Sequence, residues 1–107
     1  MNVDELLQHH TNLVVQAREI MAKKNHDYAG SGGNTPFRNF TRCEDLGICT
    51  TEKGILVRMT DKLSRLSTYL EGAELQVSDE TFDDTLLDLI NYCVILSGYC
   101  KQEREQV

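Results

Sequence analysis

Glu80, Asp84 and Asp88 recur every fourth residue in the stretch "DETFDDTLLDLINYCVIL". That spacing sets three carboxylates along one drifting stripe of a helix. Acids stacked in this way repel one another unless cations lie between them. Facing helices that turn acids inward are how helical bundles build divalent-metal sites, and ligands that are all oxygen suit Mg²⁺ or Mn²⁺ rather than zinc. A further acid, Asp61, lies in "RMTDKLSRL" with Lys62 beside it and Arg65 one turn on. Asp88 poses the sharpest question, because Leu86, Leu87, Leu89 and Ile90 flank it. An ionised carboxylate in such surroundings needs a partner. Two partners are open at this point: a bound metal, or Arg58 or Arg65 in a structural ion pair that leaves Glu80 and Asp84 in solvent.

A second group of polar residues runs through "KKNHDY" and "GSGGNTPFRNF". The glycine run lacks the GK[ST] ending of a phosphate loop and follows no strand. Gly30, Gly32 and Gly33 instead suit a flexible lid beside Lys24, Arg38 and two phenylalanines. Phe37 or Phe40 can stack on a base or anchor the segment to the core, and His26 reads as a hydrogen-bonding loop residue. No Ser-His-Asp or Cys-His arrangement can be placed from the sequence.

The elements that must position these groups are helices. Val3, Leu6, Leu7, Leu13, Val14, Ala17, Ile20 and Met21 predict an amphipathic helix over roughly 3–25. A second follows "CTTEKG", with Thr50 or Thr51 as its cap and Gly72 as its stop. Its Leu56, Met59, Leu63, Leu66 and Leu70 step by three and four, as in the seam of a bundle helix. A third starts near Ser78, with Asp79 and Glu80 in its first turn, and runs to about Lys101. Being apolar on more than one face, it is expected at the centre. The long stretch from His26 to Glu52 is expected to hold short helices or a binding site. The prediction is one all-α domain over 1–107, a helical bundle completed by a second or further copy.

Bulk properties narrow the partners. With 107 residues, 40% hydrophobic, the chain suits one core. No apolar run reaches the ~20 residues a membrane span needs, and "MNVDELLQHH" does not resemble a secretory signal. The cytoplasm is therefore the expected location. A net charge of −6 disfavours a nucleic-acid partner, whose phosphates call for Lys and Arg. A small phosphorylated ligand bridged to carboxylates by metal remains compatible. Cys43, Cys49, Cys93 and Cys100 have no zinc-site spacing; Cys93 and Cys100 are expected as small core residues, and disulfides are not expected.

Taken in order, "KNHDY", "RMTDKLSRL" and "VSDETFDDTLLDLINY" resemble the phage and bacterial nucleotide modification associated domain 1, itself similar to the all-α nucleotide pyrophosphohydrolases of the MazG type. The resemblance spans about residues 20 to 100. It implies a MazG-like bundle, a homodimer or homotetramer, and Mg²⁺- or Mn²⁺-dependent hydrolysis of a nucleoside triphosphate to monophosphate and pyrophosphate. For a phage-encoded member the place is the host cytoplasm, where such enzymes trim the deoxynucleotide pool. Asp88 matches the final acid of the family's ExxD motif, but Thr85 stands where its glutamate belongs, with Asp84 one residue earlier. The ExxE motif is matched only by Arg58-x-x-Asp61.

Carried onto these positions, Asp61, Glu80, Asp84 and Asp88 are the expected metal ligands, with Glu80 also accepting the proton of the attacking water. Lys62, Arg65 and Lys24 would balance charge on the phosphates, and Asn91 would hydrogen-bond substrate or orient a carboxylate. The segment from Asp27 and Tyr28 through Arg38 to Phe40 would cover the base, for which a purine, dGTP, is the first candidate. The alternatives are a non-catalytic nucleotide- or metal-binding module and a helical phage–host interaction protein.

Overall fold

The computed structural model describes residues 1–29, 36–72 and 80–105, without the side chains of 26–29 and of Glu80. Asp27, Tyr28 and Glu80 as site residues, the glycine run and the Ser78 cap therefore lie outside the described side chains or residues. Every regular element among the described residues is helical: α1 (Val3–Ala29), α2 (Arg42–Asp45), α3 (Thr51–Glu71) and α4 (Glu80–Glu105). The all-α expectation holds, and none of these helices is long and apolar enough to cross a membrane.

Local chemistry sets the boundaries. The Asn2 side chain accepts from the Glu5 backbone N–H at 2.8 Å, and Glu5 accepts from the Asn2 N–H at 3.0 Å. This reciprocal box satisfies two of the unpaired donors at the start of α1. Thr50 caps α3, its hydroxyl accepting from the Lys53 N–H at 3.2 Å. Thr51 sits buried in the first turn, where its N–H reaches the Glu44 carboxylate at 3.1 Å. Helix α1 extends past the expected end at residue 25, because no glycine or proline interrupts it before Gly30.

Helix α4 is central, packing against both α1 and α3, while among the described residues α1 and α3 do not pack on each other. Ala17, Ile55, Leu87 and Tyr99 are the buried apolar side chains among them. The Asn91 amide donates to the Ala17 carbonyl at 2.9 Å and ties α4 to α1. Edge-to-face pairs Tyr69–Phe82 and Phe37–Tyr99 fix α3 and the 36–41 turn to α4. Phe37 is thus an anchor, lying beside Gly98. The expectation of burial fails for Cys93, which is exposed; in the α3 seam Leu56, Leu63 and Leu70 are exposed, while Met59 and Leu66 are half-buried. One helix cannot bury both sides of such a seam against a single neighbour.

The connection before α3 is held by close contact at Gly54. A Cβ there would stand 2.5 Å from the Cys43 sulfur, closer than packed atoms tolerate. Cys43 directs its thiol to the Phe40 and Thr50 carbonyls, and Gly47, with φ of 73°, makes the left-handed turn that ends α2. The Cys49 thiol is pushed above its usual pKa by its hydrogen bond with Cys43. Gly54→Ala should therefore destabilise by about 1–2 kcal/mol, overpacking outweighing the ~1 kcal/mol gain in helix propensity. Adding Cys43→Ala should recover most of that loss in urea unfolding; no recovery would show that the clash lies elsewhere.

Candidate functional site

Asp88 sits in the middle of α4, half-buried, with a side-chain exposure of 23%. One of its oxygens lies 3.3 Å from Lys24 Nζ of α1 and the other 3.1 Å from Lys62 Nζ of α3. The partner of this carboxylate is thus neither Arg58 nor Arg65 but a pair of lysines from the two flanking helices. Lys62 is the better enclosed, 15% exposed against 54% for Lys24. Its ammonium meets the carboxylate while most of the side chain is shielded from solvent.

Next to this clasp opens a cleft of about 350 Å³. Helix α1 contributes Met21, Lys24 and Asn25, and α4 contributes Asp88, Asn91, Tyr92 and Ile95. The third wall is Arg58 of α3 with Pro36, Asn39, Phe40 and Arg42 from the turn and α2. Arg58 organises that wall: its guanidinium donates to the Asn39 carbonyl at 3.0 Å and lies 4.7 Å over the Phe40 ring. Phe40 in turn meets Tyr92 edge-on at 6.1 Å. Cation–π contact and edge-to-face packing hold these groups in place before any ligand arrives.

The charges in the wall are unequal. Lys24, Arg42 and Arg58 carry three positive charges against one negative on Asp88, an excess of two in a chain whose net charge is −6. Two aromatic rings and the amides of Asn25, Asn39 and Asn91 complete the lining. A small, mostly preformed pocket with cations, a flat apolar surface and several amides suits a ligand with an anionic end and a planar, hydrogen-bonding end.

Of the sequence-derived candidates, the fold brings Lys24, Phe40, Asp88 and Asn91 to the cleft, with Lys62 behind Asp88. Arg38 is exposed, outside the lining, and its carbonyl accepts from the Thr41 hydroxyl. Arg65 pairs with Asp61 at 3.3 Å on the surface of α3, and Asp84 is exposed. Arg58 was legible only as an ion-pair candidate. Arg42, Asn39 and Tyr92 went unrecognised as lining residues, although "NFTR" and "DLINY" place a ring beside polar groups twice.

The described carboxylates, with the Glu80 side chain not among them, bear on the expected metal. No cluster of three or more His, Cys, Asp or Glu side chains suited to a cation occurs among the described residues. Asp88 gives both oxygens to lysines, Asp61 gives one to Arg65, and Asp84 is exposed. The described residues in this arrangement do not fit Mg²⁺ or Mn²⁺. Comparison with family models, with curated proteins and with solved structures finds no match to this chain.

The two ion pairs differ in burial and should differ in energetic weight. Asp88→Asn should cost about 1–2 kcal/mol, between the value of an exposed pair and that of a buried one, with the helical content retained. Lys62→Gln should cost more than Lys24→Gln in the same urea titration. Equal small losses for all three would show that the clasp contributes nothing to stability.

Proposed function

We propose that this chain takes a nucleoside triphosphate into the cleft and hydrolyses it to the monophosphate and pyrophosphate, the reaction the sequence resemblance implies. The observation that carries the ligand class is the local excess of positive charge beside Phe40 and Tyr92 in an acidic protein. Arg58, Arg42 and Lys24 are the groups that meet the phosphates, Arg side chains offering paired donors to phosphate oxygens. The rings and amides face the base, a purine such as dGTP being the first candidate. Overall acidity argues for a mobile nucleotide over a nucleic-acid backbone.

The reaction breaks the bond between the α- and β-phosphates, with water supplying the new oxygen. Mg²⁺ or Mn²⁺ is what the resemblance implies for it, although the described carboxylates do not fit such an ion. What the chain's own residues do is bind and orient: Arg58 is fixed by Asn39 and Phe40, and Lys24 is held at the cleft by Asp88. Preorganised cations of this kind stabilise charge on a phosphate chain without reorganisation. The engagement of Asp88 by two lysines favours a second reading, in which the module binds a nucleotide without turning it over.

One experiment separates these readings. Metal-stripped protein is incubated with a panel of NTPs and dNTPs, with and without Mg²⁺ or Mn²⁺. Mono- and diphosphate products are resolved, and affinity is measured in parallel by calorimetry. Hydrolysis predicts monophosphate plus pyrophosphate; the binding module predicts heat of association and no product. Arg58→Ala should weaken the affinity at least tenfold, about 1.4 kcal/mol, in either case. Neither binding nor product with any nucleotide would leave the helical interaction protein as the surviving alternative.

A further inference from the structure

Two of the four cysteines meet at one place in the fold. Cys43 belongs to α2 and Cys49 to the turn that leads into α3. The chain doubles back between them, turned at Gly47 with φ of 73°. The Cys43 carbonyl accepts from the Ile48 N–H at 2.9 Å and from the Cys49 N–H at 3.4 Å. Gly54 of α3 leaves room for both side chains. A Cβ there would stand 2.5 Å from the Cys43 sulfur and 3.8 Å from that of Cys49, so both sulfurs cover the same backbone position. The two thiols are hydrogen-bonded to each other, and each is free and half-buried.

This arrangement has what a disulfide requires. The bond needs Cα atoms about 4.4–6.8 Å apart and side chains turned toward one another. A direct backbone hydrogen bond between the two residues imposes a spacing of that order. Cys93 and Cys100 provide the contrast within the same chain. Seven residues apart on α4, they are separated by about 10.5 Å along the helix axis, beyond the reach of a bridge. Neither Cys43 nor Cys49 lines the cleft, but Phe40 and Arg42 beside them do.

We propose that Cys43 and Cys49 form a site of reversible oxidation, converted by a low-molecular-weight disulfide into an intramolecular disulfide. In the first step the thiolate of one cysteine attacks a sulfur of the disulfide RSSR. A mixed disulfide forms, and the departing RS⁻ takes up a proton. In the second step the other cysteine, its proton lost to solvent, attacks the protein sulfur of that mixed disulfide and expels a second RS⁻, which is protonated in turn. The two protein thiols give up two electrons, and one RSSR is reduced to two RSH. The bond removes the S–H that Cys43 directs at the Phe40 and Thr50 carbonyls, on the segment that carries Phe40 and Arg42 to the cleft. The placement of the two sulfurs carries this independently of the nucleotide reading, so either can fail alone.

Mass spectrometry of the full chain tests it. Reduced, folded protein is incubated with oxidised glutathione until the exposed Cys93 carries glutathione. It is then quenched with acid, alkylated and digested with trypsin without reduction. Cleavage after Arg42 and Lys53 yields the peptide CEDLGICTTEK, which holds both cysteines. It should be lighter than its dithiol form by two hydrogen atoms and free of alkyl and glutathione groups, and dithiothreitol should restore both thiols. The ratio of bridged peptide to glutathione-bearing peptide should be at least tenfold higher in folded protein than in urea, where the fold no longer holds the sulfurs together. Cys49→Ser should stop at a lasting mixed disulfide on Cys43. Recovery of CEDLGICTTEK with both thiols alkylated would overturn the proposal. So would a ratio no higher in the folded chain than in urea, whether or not Cys49→Ser folds.

Discussion

One carboxylate joins the three long helices. Asp88 belongs to α4, which packs against both α1 and α3, and it takes a lysine from each. Electrostatics therefore close a gap that packing leaves open, since α1 and α3 do not meet directly among the described residues. The same interaction sets the polarity of the cleft. With Asp88 occupied by Lys24 and Lys62, it presents little free negative charge, and Arg42 and Arg58 are left to dominate the wall. The tie between the helices and the charge of the cleft thus have a common origin.

Much of the framework was legible because helix signals are local. The three-and-four rhythm of α1 and α3, the Thr50 cap and the two-faced character of α4 depend on residues within a few turns of one another. The short helix inside the long connection followed from its length alone. The surroundings of Asp88 were legible in kind, since its apolar flanks demanded a partner. Which partner it takes was not. Lys24 lies 64 positions away, and no periodicity relates a lysine near the end of α1 to the middle of α4. The arginines nearer in sequence were the natural guess, but Arg58 turns instead to the Asn39 carbonyl and the Phe40 ring.

The seam of α3 shows the same limit from the other side. Its leucine spacing is visible in the sequence, but spacing cannot say which side of a helix finds a neighbour within the chain. The structure divides that seam, turning Met59 and Leu66 partly inward and leaving Leu56, Leu63 and Leu70 outside. The expectation for Cys93 failed for a related reason. Cys93 lies on an α4 face that neither α1 nor α3 covers, so its small size does not decide its burial.

The most direct test of the account is to watch the cleft while a nucleotide is added. Backbone amide spectra of ¹⁵N-labelled protein would be recorded during titration with a non-hydrolysable dGTP analogue, and separately with inorganic triphosphate. The cleft account predicts that the analogue shifts Asn39, Phe40, Asn91 and Tyr92, while triphosphate alone perturbs Lys24, Arg42 and Arg58 and spares the signals from Val3 to Gln16. Shifts confined to the exposed carboxylates around Asp61 and Asp84, or none at millimolar ligand, would contradict it.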